Sequence, residues 1–332
     1  MVNPLLFGTV IISFLVTLAL MPLWIKKARE IGLVWEDMNK PKQEKNVSGS
    51  GGIVAVLGTL IGIFLYIAIQ TFFFKSSDGN TIKIFAIVSS LSLVAGIGFI
   101  DDLFGWKKGG LSVRSRLILV LFSAIPLMVI NAGDSSVLGI NLGILYPLII
   151  IPLGVVGATT TYNFLAGFNG LESRQGILIL GGLALASYLN GNSWLSLTAL
   201  IMVASLIAFY IFNRNPAKVF PGDVMTYSIG IMIAAVAILG NLELIAVLFF
   251  IPYVIETILK SRGKLKKYSF GKPNPDGSLE VPYEKIYGLE HLSIKILKKL
   301  KPSHKVYEND VVNLINLFQL LVIVIVLGLN HI

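Results

Sequence analysis

The chain contains no cysteine among its 332 residues, which excludes disulfides, a thiolate nucleophile and any Cys-based metal site. Histidine is scarce, with three in total, so an imidazole-rich centre is excluded as well. Charged residues make up only 14% of the chain against 55% hydrophobic ones, and the mean hydropathy is +0.80. A soluble domain could not bury that much apolar surface. No Walker spacing of glycines and lysine occurs, so there is no P-loop. No internal repeat is visible, and the inverted-repeat signature of many secondary transporters is therefore missing. The first apolar run has no basic residue before it and is too long for a signal-peptide core, so it is expected as a retained span.

What the chain does have is apolar runs of the roughly 17–25 residues that cross a bilayer. Ten are expected, over 4–25, 52–74, 82–100, 113–131, 143–162, 174–189, 194–212, 224–240, 242–259 and 311–330. The expected fold is an all-α polytopic membrane protein with ten transmembrane helices, both termini outside, and cytoplasmic loops that form the active site. It reads as one integral membrane domain over 1–332, with a long cytoplasmic loop over 260–310.

Charge sets the orientation. Of the 27 Lys and Arg residues, 25 lie in the loops of odd rank, and Lys75 and Lys83 are left to the alternate loops. Basic loops stay in the cytoplasm. The net charge of +9 sits beside membrane spans, which favours membrane lipids and phosphate substrates as partners and argues against nucleic acid.

The same odd-ranked loops carry the acids and amides. Gly98-Phe99-Ile100-Asp101-Asp102 ends in two adjacent carboxylates at a membrane edge, followed by Lys107 and Lys108. Neighbouring acids repel, so such a pair is either a charged end-cap or a functional site with a compensating cation. After span five, Asn163-Phe164-Leu165-Ala166-Gly167-Phe168-Asn169-Gly170-Leu171-Glu172 packs amides and glycines into a turn. Its amides offer carbonyl oxygens to a hard cation and N–H donors to a base or phosphate. Before span eight stands Gly222-Asp223, which is either a helix N-cap or a ligand. Oxygen donors on three such clusters, without His or Cys, suit Mg²⁺ or Mn²⁺ bridging phosphates rather than zinc or copper. Loop one adds Asp37-Met38-Asn39-Lys40 and a glycine stretch over 48–52. The 260–310 loop adds Lys264, Lys266, Lys267 and Lys272, and its segment from Tyr287 to Leu300 alternates apolar residues with lysine, as an interfacial amphipathic helix would.

The order Asp-Asp after span three, Asn-x-Leu-Ala-Gly-x-Asn-Gly-Leu-Glu after span five and Gly-Asp before span eight resembles the polyprenyl-phosphate N-acetylhexosamine-1-phosphate transferases. The Asn163–Glu172 segment and Asp37-x-Asn39-Lys40 resemble most the eukaryotic and archaeal branch, which makes the dolichyl-pyrophosphate GlcNAc starter. One departure concerns the last cytoplasmic loop. Bacterial branches carry a His-rich motif there and the eukaryotic branch Arg-His-Arg, whereas this loop has lysines with His291 and His304 only.

The resemblance implies transfer of GlcNAc-1-phosphate from UDP-GlcNAc to dolichyl or another polyprenyl phosphate, with Mg²⁺ (or Mn²⁺) as cofactor. It implies Asp223 and Asn163 as metal ligands, and Asp101, Asp102, Lys107 and Lys108 as the catalytic group around the acceptor phosphate. Gly167, Asn169, Gly170, Glu172, Asn39, Lys40 and Gly222 are implied on the substrate side. Other readings stay open: the same phosphotransfer with another UDP-HexNAc or an undecaprenyl carrier, a phospho-enzyme route, a cation or lipid-phosphate transporter, and a homodimer.

Overall fold

A computed structural model describes residues 4–42, 45–75, 79–137 and 140–329, with the side chains of Lys45, Lys108 and Val137 outside that description. The expected site residue Lys108 is thus placed in its backbone alone. The helices are α1 (Pro4–Glu30), α2 (Gly52–Ala68, continued by a π-helical turn Ile69–Phe73), α3 (Thr81–Lys108), α4 (Val113–Phe122), α5 (Ile125–Val129), α6 (Ile151–Tyr162, preceded by a π-helical turn Tyr146–Ile150), α7 (Leu171–Leu189), α8 (Ser193–Asn213), α9 (Gly222–Gly240), α10 (Glu243–Phe249), α11 (Ile251–Ser261), α12 (Leu289–Leu300) and α13 (Glu308–Leu329). Three two-stranded antiparallel hairpins accompany them: β1 (Val34–Glu36) with β2 (Lys45–Ser48), β3 (Ser136–Val137) with β4 (Ile140–Asn141), and β5 (Lys272–Pro273) with β6 (Leu279–Glu280).

The chain is an all-α, multi-pass membrane protein. Among the described residues six helices are long and apolar enough to cross a bilayer, namely α1, α2 with its π turn, α3, α8, α9 and α13, and α10 with α11, bent by 53°, has the length and composition for a seventh if the pair is one span. The other expected runs form helices of a different kind, for physical reasons legible in their residues. Run four breaks at Ser123 and Ala124 into α4 and α5, with proline at the start of α5. Run five carries Pro147 in its π turn and Pro152 in the first turn of α6, and each proline removes a backbone donor from the helical ladder. Run six is α7, whose first turns hold Glu172 and Arg174.

Helix α9 is the centre of the bundle, with 89% of its apolar window buried, while α1 at 28% lies at the periphery. α9 packs against α3, α6, α2 and α7. In lipid no hydrophobic force draws helices together, so close backbone approach has to do it. Gly98 of α3 supplies one such approach: a Cβ there would lie 2.7 Å from the Val224 Cα of α9. That contact brings the carboxylates one turn further along α3 to the start of α9. Loop one reaches the same place, because Phe220 N donates to Ser48 O at 2.8 Å and Gly51 N to Phe220 O at 2.9 Å.

Overpacking at a close helix crossing costs about 1–3 kcal/mol. Gly98→Ala is therefore expected to lower the thermal unfolding midpoint in detergent, whereas Gly96→Ala, on the same helix with open space around its Cβ position, is expected to leave it unchanged or raise it. Equal midpoints for the two variants would refute the close-packing role.

Candidate active site

The α9 amino terminus has unsatisfied backbone N–H groups, as every helix start does. Its own N-cap residue, Pro221, offers no side-chain acceptor. The acceptor comes from α3 instead: Asp102 Oδ1 accepts from Asp223 N at 2.6 Å and Oδ2 from Val224 N at 3.4 Å. This is a helix cap supplied across the bundle, and the positive end of the α9 dipole favours its charge. Gly222 makes it possible, since its φ is +70° and a Cβ there would sit 2.2 Å from Asp102 Oδ2. Asp223 is then not the cap that its position suggested. Its side chain faces α6, where Asn163 Nδ2 donates to Asp223 Oδ1 at 2.9 Å, and Thr226 Oγ1 donates to Asn163 Oδ1 at 3.2 Å.

Asp101 is buried beside this pair. Leu111 N donates to its Oδ1 at 2.7 Å, Tyr227 Oη to its Oδ2 at 3.3 Å, and Arg116 Nε lies 2.7 Å from Oδ2. The Nε contact is an ion pair whose geometry is too bent for a hydrogen bond. The base that meets the acidic cluster is thus Arg116 of α4, which follows it in sequence. The expected partner Lys107 is exposed and lies over the Trp106 ring at 5.0 Å.

Asp102, Asn163, Gly167, Asn169, Glu172, Gly222 and Asp223 all line one cavity of about 640 Å³. Seven sequence candidates therefore converge. Phe270, which no sequence pattern singled out, closes one side. It packs on Gly167, whose φ is +109° and where a Cβ would meet the ring at 2.8 Å. Glu172 Oε1 accepts from Gly167 N at 2.8 Å and so shapes the loop from within. Gly170, also at positive φ, seats the start of α7 beneath Tyr210.

Asn39 and Lys40 stand behind the cavity wall. Asn39 Nδ2 donates to Gly167 O at 2.8 Å and its Oδ1 accepts from Gly271 N at 3.0 Å, tying loop one to the turn before β5. Lys40 Nζ donates to Glu308 and to Asn215 Oδ1 at 2.7 Å, with Asp37 Oδ2 at 3.7 Å. Its charge is already matched by carboxylates. Lys260 acts similarly at the other end of the loop, donating to Phe164 O and pairing with Glu256 at 3.3 Å.

The late loop contains α12, whose residues Leu289, Glu290, His291, Ser293 and Ile294 are buried, and α12 packs on α13 and α11. The expected interfacial helix is thus docked on the protein by its first turns, leaving Leu300 exposed. Burial pushes the His291 imidazole below its usual range, and its Nε2 faces Phe270 O at 3.3 Å. Burial, reinforced by Glu256, pushes the Glu290 carboxyl well up. Neither residue offers this site a cationic contact of the kind a His or Arg motif would supply.

Among the described residues no three His, Cys, Asp or Glu side chains converge on a metal-sized point. The donor set of Asp223, Asp102 and Asn163 nonetheless fits Mg²⁺. That ion takes one or two carboxylates and completes its shell with water and substrate phosphates, not with a protein cage.

Residues 84–241 match Glycosyl transferase family 4. The chain is 35% identical to a protein of Saccharolobus solfataricus provisionally named UDP-N-acetylglucosamine–dolichyl-phosphate N-acetylglucosaminephosphotransferase, over 86% of this chain and 87% of that one. It is 31% identical to a protein of the same provisional name from Sulfolobus acidocaldarius, over 89% of each. With a phospho-N-acetylmuramoyl-pentapeptide-transferase of Streptococcus pyogenes serotype M6 it shares 30% identity, over 74% of this chain and 76% of that one.

Removing one partner of a buried ion pair leaves the other uncompensated, at a cost of roughly 3–5 kcal/mol. Arg116→Met is expected to lower thermal stability clearly, and adding Asp101→Asn is expected to recover part of the loss. Additive losses in the double variant would show that the two side chains do not depend on each other.

Proposed function

The chain belongs to the glycosyl transferase family 4 of polyprenyl-phosphate N-acetylhexosamine-1-phosphate transferases, and on that premise we propose that it transfers GlcNAc-1-phosphate from UDP-GlcNAc to a dolichyl-type polyprenyl phosphate. The observation that carries this reading is the gathering of Asp102, Asp223 and Asn163, where α3, α6 and α9 meet, in one cavity with Asn169. A cavity with that wall suits a diphosphate that arrives with, or recruits, a divalent cation.

The acceptor is a phosphate monoester whose second pKa is about 6, so it is mostly ionised near neutrality and scarcely needs a general base. One of its oxygens attacks the β-phosphorus of UDP-GlcNAc. The bond from that phosphorus to the bridging oxygen breaks, and UMP leaves carrying that oxygen. Asp101 is held by Arg116, Leu111 N and Tyr227, a seat that suits a fixed charge better than a nucleophile and supports direct transfer. Asp223 and Asn163, with Asp102 beside them, would hold Mg²⁺. The ion would screen the phosphates from one another and stabilise the departing one. Gly167, Asn169 and Glu172 form the donor-side wall.

The membrane arrangement in this reading has ten crossing segments, with α4–α5, the π turn with α6, and α7 completing the seven spans named above. Both termini lie outside, and the basic loops put the cavity on the cytoplasmic face of the cell membrane. The lysine-rich segment over 260–305 then faces anionic lipid and phosphate from the same side.

Purified protein incubated with radiolabelled UDP-GlcNAc, Mg²⁺ and polyprenyl phosphate is expected to form lipid-linked sugar and UMP, and EDTA is expected to abolish both. Product with another UDP-N-acetylhexosamine in its place would reassign the donor. No product with any of them would sink the proposal. Asp223→Asn is expected to lower kcat by about 100-fold or more and to raise the Mg²⁺ concentration for half-maximal activity, while Lys107→Met is expected to leave kcat within about twofold, in keeping with its place over Trp106.

A further inference from the structure

Glu308 lies in the first turn of α13, almost 140 residues from the Asn163–Glu172 loop, and is 3% exposed. A carboxylate so deeply buried must be matched by donors. Its Oε1 accepts from Asn169 N at 2.7 Å, its Oε2 accepts from Asn169 Nδ2 at 3.4 Å, and Lys40 Nζ donates to the same Oε2. On the other side, Asp37 Oδ2 accepts from Asn169 Nδ2 at 2.8 Å. A carboxamide has two N–H donors and one carbonyl acceptor. With the nitrogen of Asn169 directed at two carboxylates, its Oδ1 is the atom left to meet a ligand, and Asn169 lines the cavity.

We infer that Glu308 is a positioning residue for donor binding: it holds the Asn169 backbone and, with Asp37, orients the Asn169 carboxamide so that the site presents an acceptor, and thereby selects a nucleotide offering an N–H or O–H donor. Lys40 belongs to the same device, as the cation that donates to Glu308 Oε2 and holds it in place, rather than as a phosphate contact. The inference rests on the uridine-nucleotide reading given above. It goes beyond that reading by assigning the orientation of one wall to the last helix of the chain.

The decisive measurement is UMP affinity by isothermal titration, together with kcat and KM for UDP-GlcNAc. Loss of a hydrogen bond to a charged group predicts about tenfold weaker UMP binding for Glu308→Gln, with KM raised in proportion and kcat changed far less. In an Asn169→Ala background the same substitution is expected to add less than about twofold, because the effect runs through Asn169. The pair Lys40→Met with Glu308→Gln, which removes both charges of that ion pair and leaves Asp37 its donors Asn169 Nδ2 and Asn39 N, is expected to show the same tenfold loss and serves if the single variant does not fold. Unchanged UMP affinity, additive losses with Asn169→Ala, or a fall in kcat at constant KM would each overturn the inference. Wild-type protein that binds UMP normally while Glu308→Gln does so equally well would overturn it alone; wild-type protein that binds no uridine nucleotide would overturn the proposed function with it.

Discussion

The arrangement depends on one hydrogen-bonded junction, the capping of α9 by Asp102 of α3. A carboxylate partly withdrawn from water is costly unless donors meet it, and a helix start so withdrawn is costly unless an acceptor meets it. Each deficit satisfies the other here. The exchange requires the two backbones to approach closely, and Gly98 and Gly222 leave the space for it. Once Asp102 caps α9, Asp223 is free to face Asn163, and Asp101 can be held by Arg116 and Tyr227. Three acids are thereby concentrated beside the single base Arg116.

The glycine-containing loop from Asn163 to Gly170 is treated in a different way. It is too short and too rich in open backbone groups to shape itself, so its neighbours hold it at several points. Lys260 takes the Phe164 carbonyl, Glu172 the Gly167 amide, Asn39 the Gly167 carbonyl and Glu308 the Asn169 amide. Lys40 and Lys260, both on the basic face, are committed to internal carboxylates. The positive charge concentrated in these loops therefore serves partly to build the site, and only the uncommitted remainder is available to attract phosphate or lipid. A loop held at several points beside a charged pocket suits a reaction whose chief difficulty is bringing two anions together.

Much of this was legible in the residues. Apolar length and composition imply a multi-pass helical membrane protein, because the bilayer imposes its thickness on the chain. The Asp101-Asp102, Asn163–Glu172 and Gly222-Asp223 clusters stand out because acids, amides and glycines are unusual beside spans, and nine of their members line the cavity. By its place in the sequence Arg116 is one more loop base, and nothing local distinguishes Phe270 or Glu308 from ordinary members of a loop or span. Lys107 looked like the partner of the acids because it is near them along the helix, yet helical rotation carries it to the exposed side.

What the sequence by itself determined is the class of fold and the chemistry of the donor set, since both depend on residue type and local spacing. Tertiary structure alone decided the partnerships: Asp102 with the α9 start, Arg116 with Asp101, and Glu308 with Lys40 and Asn169. The reason is that a buried charge is matched by whichever opposite or donor group packing brings within about 3 Å, and that distance is set by how the helices pack, between residues from 15 to 268 positions apart, which local pattern does not encode.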